Sequence, residues 1–155
     1  MVQTLKLDAF LPYRLSIASN RISDAIAETY RSLFGLRIPE WRLIAVLAES
    51  EGMTQQALGV ATRMDKVTVS RAAIALADRG LVSRAPNPLD QRSHLLGLSP
   101  AGRALYGEVA PKALEIEARI FAGFAPEEVA AFGAMLNRLG DAVDRLQTHD
   151  GSASP

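Results

Sequence analysis

The run Asp65-Lys66-Val67-Thr68-Val69-Ser70-Arg71 puts cations, hydroxyls and one small apolar side chain into about two helical turns. On a helix of B-DNA-groove dimensions these residue types have matching chemistry. Lys66 and Arg71 can neutralise phosphate or bond to guanine, Thr68 and Ser70 can hydrogen-bond to phosphates or base edges, and an exposed Val67 can touch a thymine methyl group. A second cluster follows in Asn87-Pro88-Leu89-Asp90-Gln91-Arg92-Ser93. Arginine on such a protruding loop suits a narrow minor groove, where negative potential is concentrated, with Asp90 orienting Arg92. Taken alone, the first run also fits an amphipathic helix with a solvated face, and the second a solvated turn. Their order along the chain is more specific than either.

Other chemistries find little support. His94 and His149 are the only histidines and cysteine is absent. A zinc site needs several converging ligands, and a Ser-His-Asp triad or a histidine base needs partners around its imidazole. No catalytic residue, no metal and no cofactor is therefore expected. Without cysteine there is no disulfide or thiol switch. No apolar run approaches the roughly 18 residues of a membrane span, and no signal peptide is visible. A cytoplasmic protein with no membrane partner is expected. The formal net charge is zero, but residues 63–103 hold seven cations against three anions, whereas residues 104–155 hold four against eight. The basic region coincides with the two clusters, and for a nucleic-acid partner distribution matters more than the sum.

The elements that must position these clusters can be read from periodicity and punctuation. Leu11, Leu15, Ala18, Ile22 and Ile26 form one helical stripe from about Phe10 to Ser32. Pro39, suited to a first helical position, opens a helix ending near Gly52. Thr54 caps a short helix from Gln55 to about Ala61; after a tight turn, Asp65 caps another that runs to Arg79 and stops at Gly80. Val69, Ala73 and Leu76 are expected to face the core. Strand-like Leu81–Ala85 and His94–Leu98 flank the polar loop as a hairpin. Ser99-Pro100 opens a long helix to about Phe121, which Pro111 should kink or divide. Pro126-Glu127-Glu128 opens a last helix with a stripe of Val129, Phe132, Leu136, Leu139, Val143 and Leu146. The fold class is mainly α with a small β-hairpin wing: a winged helix-turn-helix with extra helices at both ends. The expected division is a DNA-binding domain over 37–103, dimerisation helices over 1–34 and 104–149, and a flexible tail over 150–155. Surplus apolar stripes at both ends suit a two-fold partner.

The stretches Thr54-Gln55-Gln56-Ala57-Leu58, Met64 to Arg71, Leu76 to Arg84, Asn87 to Ser93 and Leu96 to Arg103 resemble the MarR family of bacterial regulators over about residues 10–147. The resemblance implies a homodimeric transcriptional regulator on double-stranded DNA and no enzyme. It matches Asp90 and Arg92 to the family's wing pair, puts residues 66–71 on the tip of the recognition helix, and puts the terminal helices in the dimer interface. Thr54, Gln55, Arg84, Gln91 and Ser93 complete the DNA-binding candidates. Gln91 stands where many members have arginine, and Ile74, Ala75 and Ala77 replace residues that are usually polar, which suggests extra packing by the back half of that helix.

Members of the family commonly bind a small molecule between the dimer and DNA-binding parts, and lose DNA affinity when they do. Residues Phe10 to Asn20 resemble the entry of regulators that answer to aromatic acids or their CoA thioesters. Tyr13, Ser16, Asn20, Trp41 and Arg42 could stack on, hydrogen-bond to and counter the charge of such an acid. The plainer reading makes Tyr13 and Trp41 core or interface aromatics and Arg42 a solvated cation. Pro111 is a candidate bend linking such a site to the DNA-binding unit. The expected function is a ligand-responsive repressor on a pseudo-palindromic operator. The alternative is a winged helix used for protein contacts alone, whose mark would be an uncharged wing and recognition helix; a small enzyme would need titratable groups converging in a cleft.

Overall fold

The structure is a computed structural model that describes residues 4–150. A single 3-10 turn at Leu7–Ala9 precedes α1, Leu11–Phe34, which is two residues longer at its C-terminus than the sequence suggests. Gly35 stops it in the left-handed region (φ 61°, ψ 26°), a conformation glycine adopts without a Cβ penalty. The Arg79 guanidinium then donates to the freed carbonyls of Phe34 and Gly35, both at 3.1 Å. Helix α2, Ile38–Ala48, has Pro39 in its first turn, and Glu40 Oε2 accepts the Arg37 N–H at 3.1 Å. It ends at Ala48 and not near Gly52, because the chain must turn extended in time for Met53 to pair with Leu96.

Helices α3, Gln55–Thr62, and α4, Lys66–Asp78, form the helix-turn-helix. Both expected caps are present: Thr54 Oγ1 accepts the Ala57 N–H at 3.1 Å and Asp65 Oδ1 accepts the Thr68 N–H at 2.8 Å. Arg63 turns the chain between them in the left-handed region, the one non-glycine residue among those described with positive φ (55°). Leu43, Ile44 and Leu47 of α2, Leu58 of α3, and Val69, Ala72, Ala73 and Leu76 of α4 are buried together with Leu36, Leu81, Val82, Leu96 and Val109. The expected inward face of α4 is thus its buried face. Ala75 and Ala77 are half-buried, but Ile74 is exposed, so the expected extra packing of the back half of α4 does not extend to Ile74.

The wing is an antiparallel pair, β1 Val82–Pro86 and β2 His94–Leu98, in the register Val82 to Leu98, Arg84 to Leu96 and Pro86 to His94. β1 begins one residue later than expected. Met53 and Leu96 exchange both backbone hydrogen bonds (2.9 and 2.8 Å), which pins the residue before the Thr54 cap to the wing.

Ser99 makes the joint with α5, Pro100–Ile120. Its N–H donates to the Leu81 carbonyl (3.1 Å), its hydroxyl donates to the Gly80 carbonyl (2.6 Å), and its Oγ accepts the Gly102 N–H (3.0 Å). Gly102 lies so close to Leu81 that a Cβ would run into the Leu81 carbonyl. Contrary to expectation, Pro111 does not divide α5, which continues to Ile120. The hydrogen bond the proline cannot make is the one to Gly107, and both positions are exposed.

The chain forms two compact units, one reaching Leu114 and the other starting at Glu115. The first therefore contains α1 and most of α5 besides the winged helix. In it Trp41 of α2 lies between Tyr106 of α5, stacked at 5.8 Å, and Tyr30 of α1, tilted at 5.7 Å. Burial raises the pKa of the Tyr30 hydroxyl above its usual value. The second unit holds the end of α5 and α6, Pro126–Asp150, where Glu128 accepts the Ala125 N–H at 2.8 Å and Phe121 packs on Phe124 and Phe132. Phe132, Leu136, Leu139, Val143 and Leu146 of α6, like Leu11, Leu15 and Ile22 of α1, are exposed in the single chain. Asp150 ends α6, and the rest of the expected tail, 151–155, lies outside the described residues.

Candidate DNA-binding surface

The Met53–Leu96 bridge brings the N-terminus of α3 against the wing, and a cleft of about 350 Å³ lies between them. It gathers Thr54, Gln55, Arg84, Asp90, Arg92 and Ser93 from positions 39 residues apart in sequence at the extremes. A second hollow of about 600 Å³, lined by Val60, Met64, Lys66 and Val69, shares Gln55 and Gln56 with the first. Wing, first helix and the start of α4 are therefore one continuous surface. Lys66, Val67 and Arg71 are exposed on α4 and Ser70 is half-buried; Gln91 is exposed at the wing tip.

The wing loop is built by its own polar side chains. Asn87 Oδ1 accepts the Leu89 N–H (3.1 Å) and its Nδ2 donates to Ser93 Oγ (2.9 Å). Asp90 Oδ1 accepts the backbone N–H of Arg92 at 2.9 Å. Contrary to the expectation that Asp90 orients the Arg92 guanidinium, it holds the Arg92 main chain. Its effect is to fix the loop from which the guanidinium projects.

One sequence candidate, Thr68, and one cation of the basic stretch, Arg79, have other commitments. Thr68 donates its hydroxyl hydrogen to Asp65 Oδ2 at 2.9 Å, so in this rotamer it has no proton for a phosphate and can only accept, as from a base amino group. These hydrogen bonds to Thr68, backbone first and hydroxyl second, also hold the Asp65 carboxyl below its usual pKa. Arg79, counted in the basic stretch, is spent on the end of α1. Gln56, Asn87 and His94 line the wing cleft and were not singled out from sequence. Gln56 had a usable signal, since it follows Gln55 in the first turn of a capped helix. Asn87 and His94 had none, because their role depends on how the hairpin folds back on α3.

The effector candidates do not converge within one chain. Tyr13, Ser16 and Asn20 are exposed on one face of the first half of α1. Trp41 is packed against Tyr30, which lies about 25 Å further along α1 than Tyr13 at 1.5 Å per residue. Arg42 is exposed on α2. Among the described residues no group of three or more His, Asp or Glu could hold a metal ion, and no helix is long and apolar enough to cross a membrane.

Fold and surface define a winged-helix DNA-binding protein, and comparison with known proteins specifies it further. The MarR family model matches residues 34–93. An uncharacterised HTH-type transcriptional regulator from Mycobacterium bovis is 33% identical over 101 residues, 65% of this chain and 70% of that protein. A solved MarR-family regulator from Silicibacter pomeroyi is 32% identical, with a TM-score of 0.72 over 88% of this chain and 94% of that one. Another solved structure concerns regulation of DNA binding of BpsR of Bordetella bronchiseptica by 6-hydroxynicotinic acid; it is 25% identical, with a TM-score of 0.83 over 90% and 99%. This chain belongs to the MarR family and is a DNA-binding transcriptional regulator.

Proposed function

We propose that the chain binds a pseudo-palindromic operator as a homodimer and represses transcription until a small aromatic acid, or its CoA thioester, releases it. The observation that carries the DNA half is the cleft between α3 and the wing, with Arg84 and Arg92 on one side and the Thr54-capped helix start on the other. A helix N-terminus and two guanidinium groups suit a phosphate path. The exposed apolar side chains of α1 and α6 support dimerisation, since a second copy is what would remove them from water. Two recognition helices then meet half-sites about 10 base pairs apart, centre to centre.

The effector half draws its support from BpsR, which answers to an aromatic acid, and from Trp41 with the neighbouring Arg42 cation. Tyr13, Ser16 and Asn20 join that site if a second protomer supplies them. An effector acting through a coupling of about 1–3 kcal/mol lowers operator affinity roughly 5–150-fold. The test is binding of purified protein to a fluorescent duplex pool across a salt series, followed by addition of aromatic acids and their CoA thioesters. Selective, salt-sensitive binding that an acid reverses is the expected result. No selectivity over random DNA at any salt would overturn the operator reading; selective binding that no acid or thioester alters would overturn the effector reading alone.

A further inference from the structure

We propose that α4 reads two thymine methyl groups in the major groove, through Val67 and Ile74, one on each side of Arg71; this rests on the operator reading above. At about 100° per residue, Val67, Arg71, Ile74 and Asp78 fall within about 60° of one another. That sector is opposite the buried Val69, Ala73 and Leu76. Val67 is 58% exposed and Ile74 50%, so each is an uncovered β-branched side chain on the open side of the helix. What sets the pair apart is its position, on one exposed helix face with the Arg71 cation between the two side chains.

Charge and continuity identify what covers them. Lys66 and Arg71 accompany the apolar pair, and the start of α4 continues through Gln55 and Gln56 into the cleft holding Arg84 and Arg92. An apolar protein groove would cover Val67 and Ile74 but would take Arg71 out of water between them without a counter-charge, which is costly. The major groove of DNA offers both components, phosphates at its walls and thymine C5-methyl groups on its floor. Seven residues of helix span about 10 Å, which equals about three base-pair steps at 3.4 Å. The half-site then carries two thymines about three base pairs apart, with a guanine presenting N7 and O6 to Arg71 between them. Contact ends there. Asp78, one turn beyond Ile74, is repelled by phosphate, and Arg79 beside it is held by the α1 carbonyls.

The test leaves the protein intact. Binding sites are selected from random duplexes with the full chain, and each thymine of the selected half-site is replaced in turn by deoxyuridine, which removes only the methyl group. Replacement at two positions about three base pairs apart should each weaken binding about 4-fold, the worth of one buried methyl. Val67→Ala and Ile74→Ala, at exposed positions, should each erase the thymine-over-uracil preference at one of the two positions and leave the other. Tight binding to selected sites with no effect of deoxyuridine, or a preference that survives both variants, overturns the inference and leaves the operator reading standing. Failure to select any site overturns both.

Discussion

Gly102→Ala and Gly107→Ala place the same methyl group in the same helix and should have opposite effects. Helix propensity favours alanine over glycine by about 0.8–1 kcal/mol in a helix interior such as Gly107, and by at most that at Gly102 in the first turn. At Gly107 the added Cβ meets nothing within 4 Å, so that gain should be realised in full. At Gly102 the Cβ would run into the Leu81 carbonyl and crowd the Leu98 side chain. The carbonyl cannot swing aside, since it accepts the Ser99 N–H and the Leu81 N–H is itself bonded to Leu76 O at 2.9 Å. Overpacking of this kind costs about 1–3 kcal/mol, and a fixed backbone partner puts it at the upper end. Subtracting the propensity gain leaves a net loss of about 2 kcal/mol. Urea denaturation at one fixed protomer concentration measures both, the concentration held because dimerisation adds to apparent stability. Gly102→Ala should also weaken DNA binding, because the strain falls on the backbone joining α4, the wing and α5. A Gly102→Ala protein as stable as Gly107→Ala would refute the argument that close approach requires this glycine.

Arg92→Ala should weaken operator binding and lower the slope of log K against log salt by about 1, the mark of a lost phosphate contact; an unchanged slope removes the wing arginine from the interface. Arg79→Ala should cost about 1 kcal/mol in denaturation through its two lost carbonyl hydrogen bonds and leave the salt slope unaltered. Asp65 has a folded pKa below its unfolded one, so its contribution is present above the unfolded value and lost as pH falls from about 4 through the folded value. The stability difference between the native protein and Asp65→Asn should accordingly shrink over that acid range, and a pH-independent difference would count against the Thr68 contacts as its source. Pro111→Ala restores the helix hydrogen bond to Gly107 within the continuous helix α5 and should change neither DNA affinity nor effector response; an altered response would make Pro111 a functional bend.

The helical stripes, the Thr54, Asp65 and Ser99 caps, the Gly80 stop and the hairpin with its polar loop were all legible along the chain. Each depends on side chains and backbone groups within a few residues of one another, so periodicity and capping chemistry suffice. The residue types of the recognition helix and wing were legible for the same reason. What the tertiary structure decided is how these local pieces are used. Arg79 leaves the basic surface to cap α1, 44 and 45 residues away in sequence, whereas the Asp90–Arg92 and Asp65–Thr68 hydrogen bonds are local pairings that the residue types alone left open. Asn87, His94 and Gln56 enter the cleft only because Met53 pairs with Leu96 across 43 residues of sequence. Ile74 looked like a packing residue until the core proved to lie on the opposite side of α4. Local hydrogen bonds and propensities act over one or two turns, and sequence records them directly. A side chain's eventual partner is set by which distant backbone the core brings within about 3 Å, and that follows from the packing of all the elements at once.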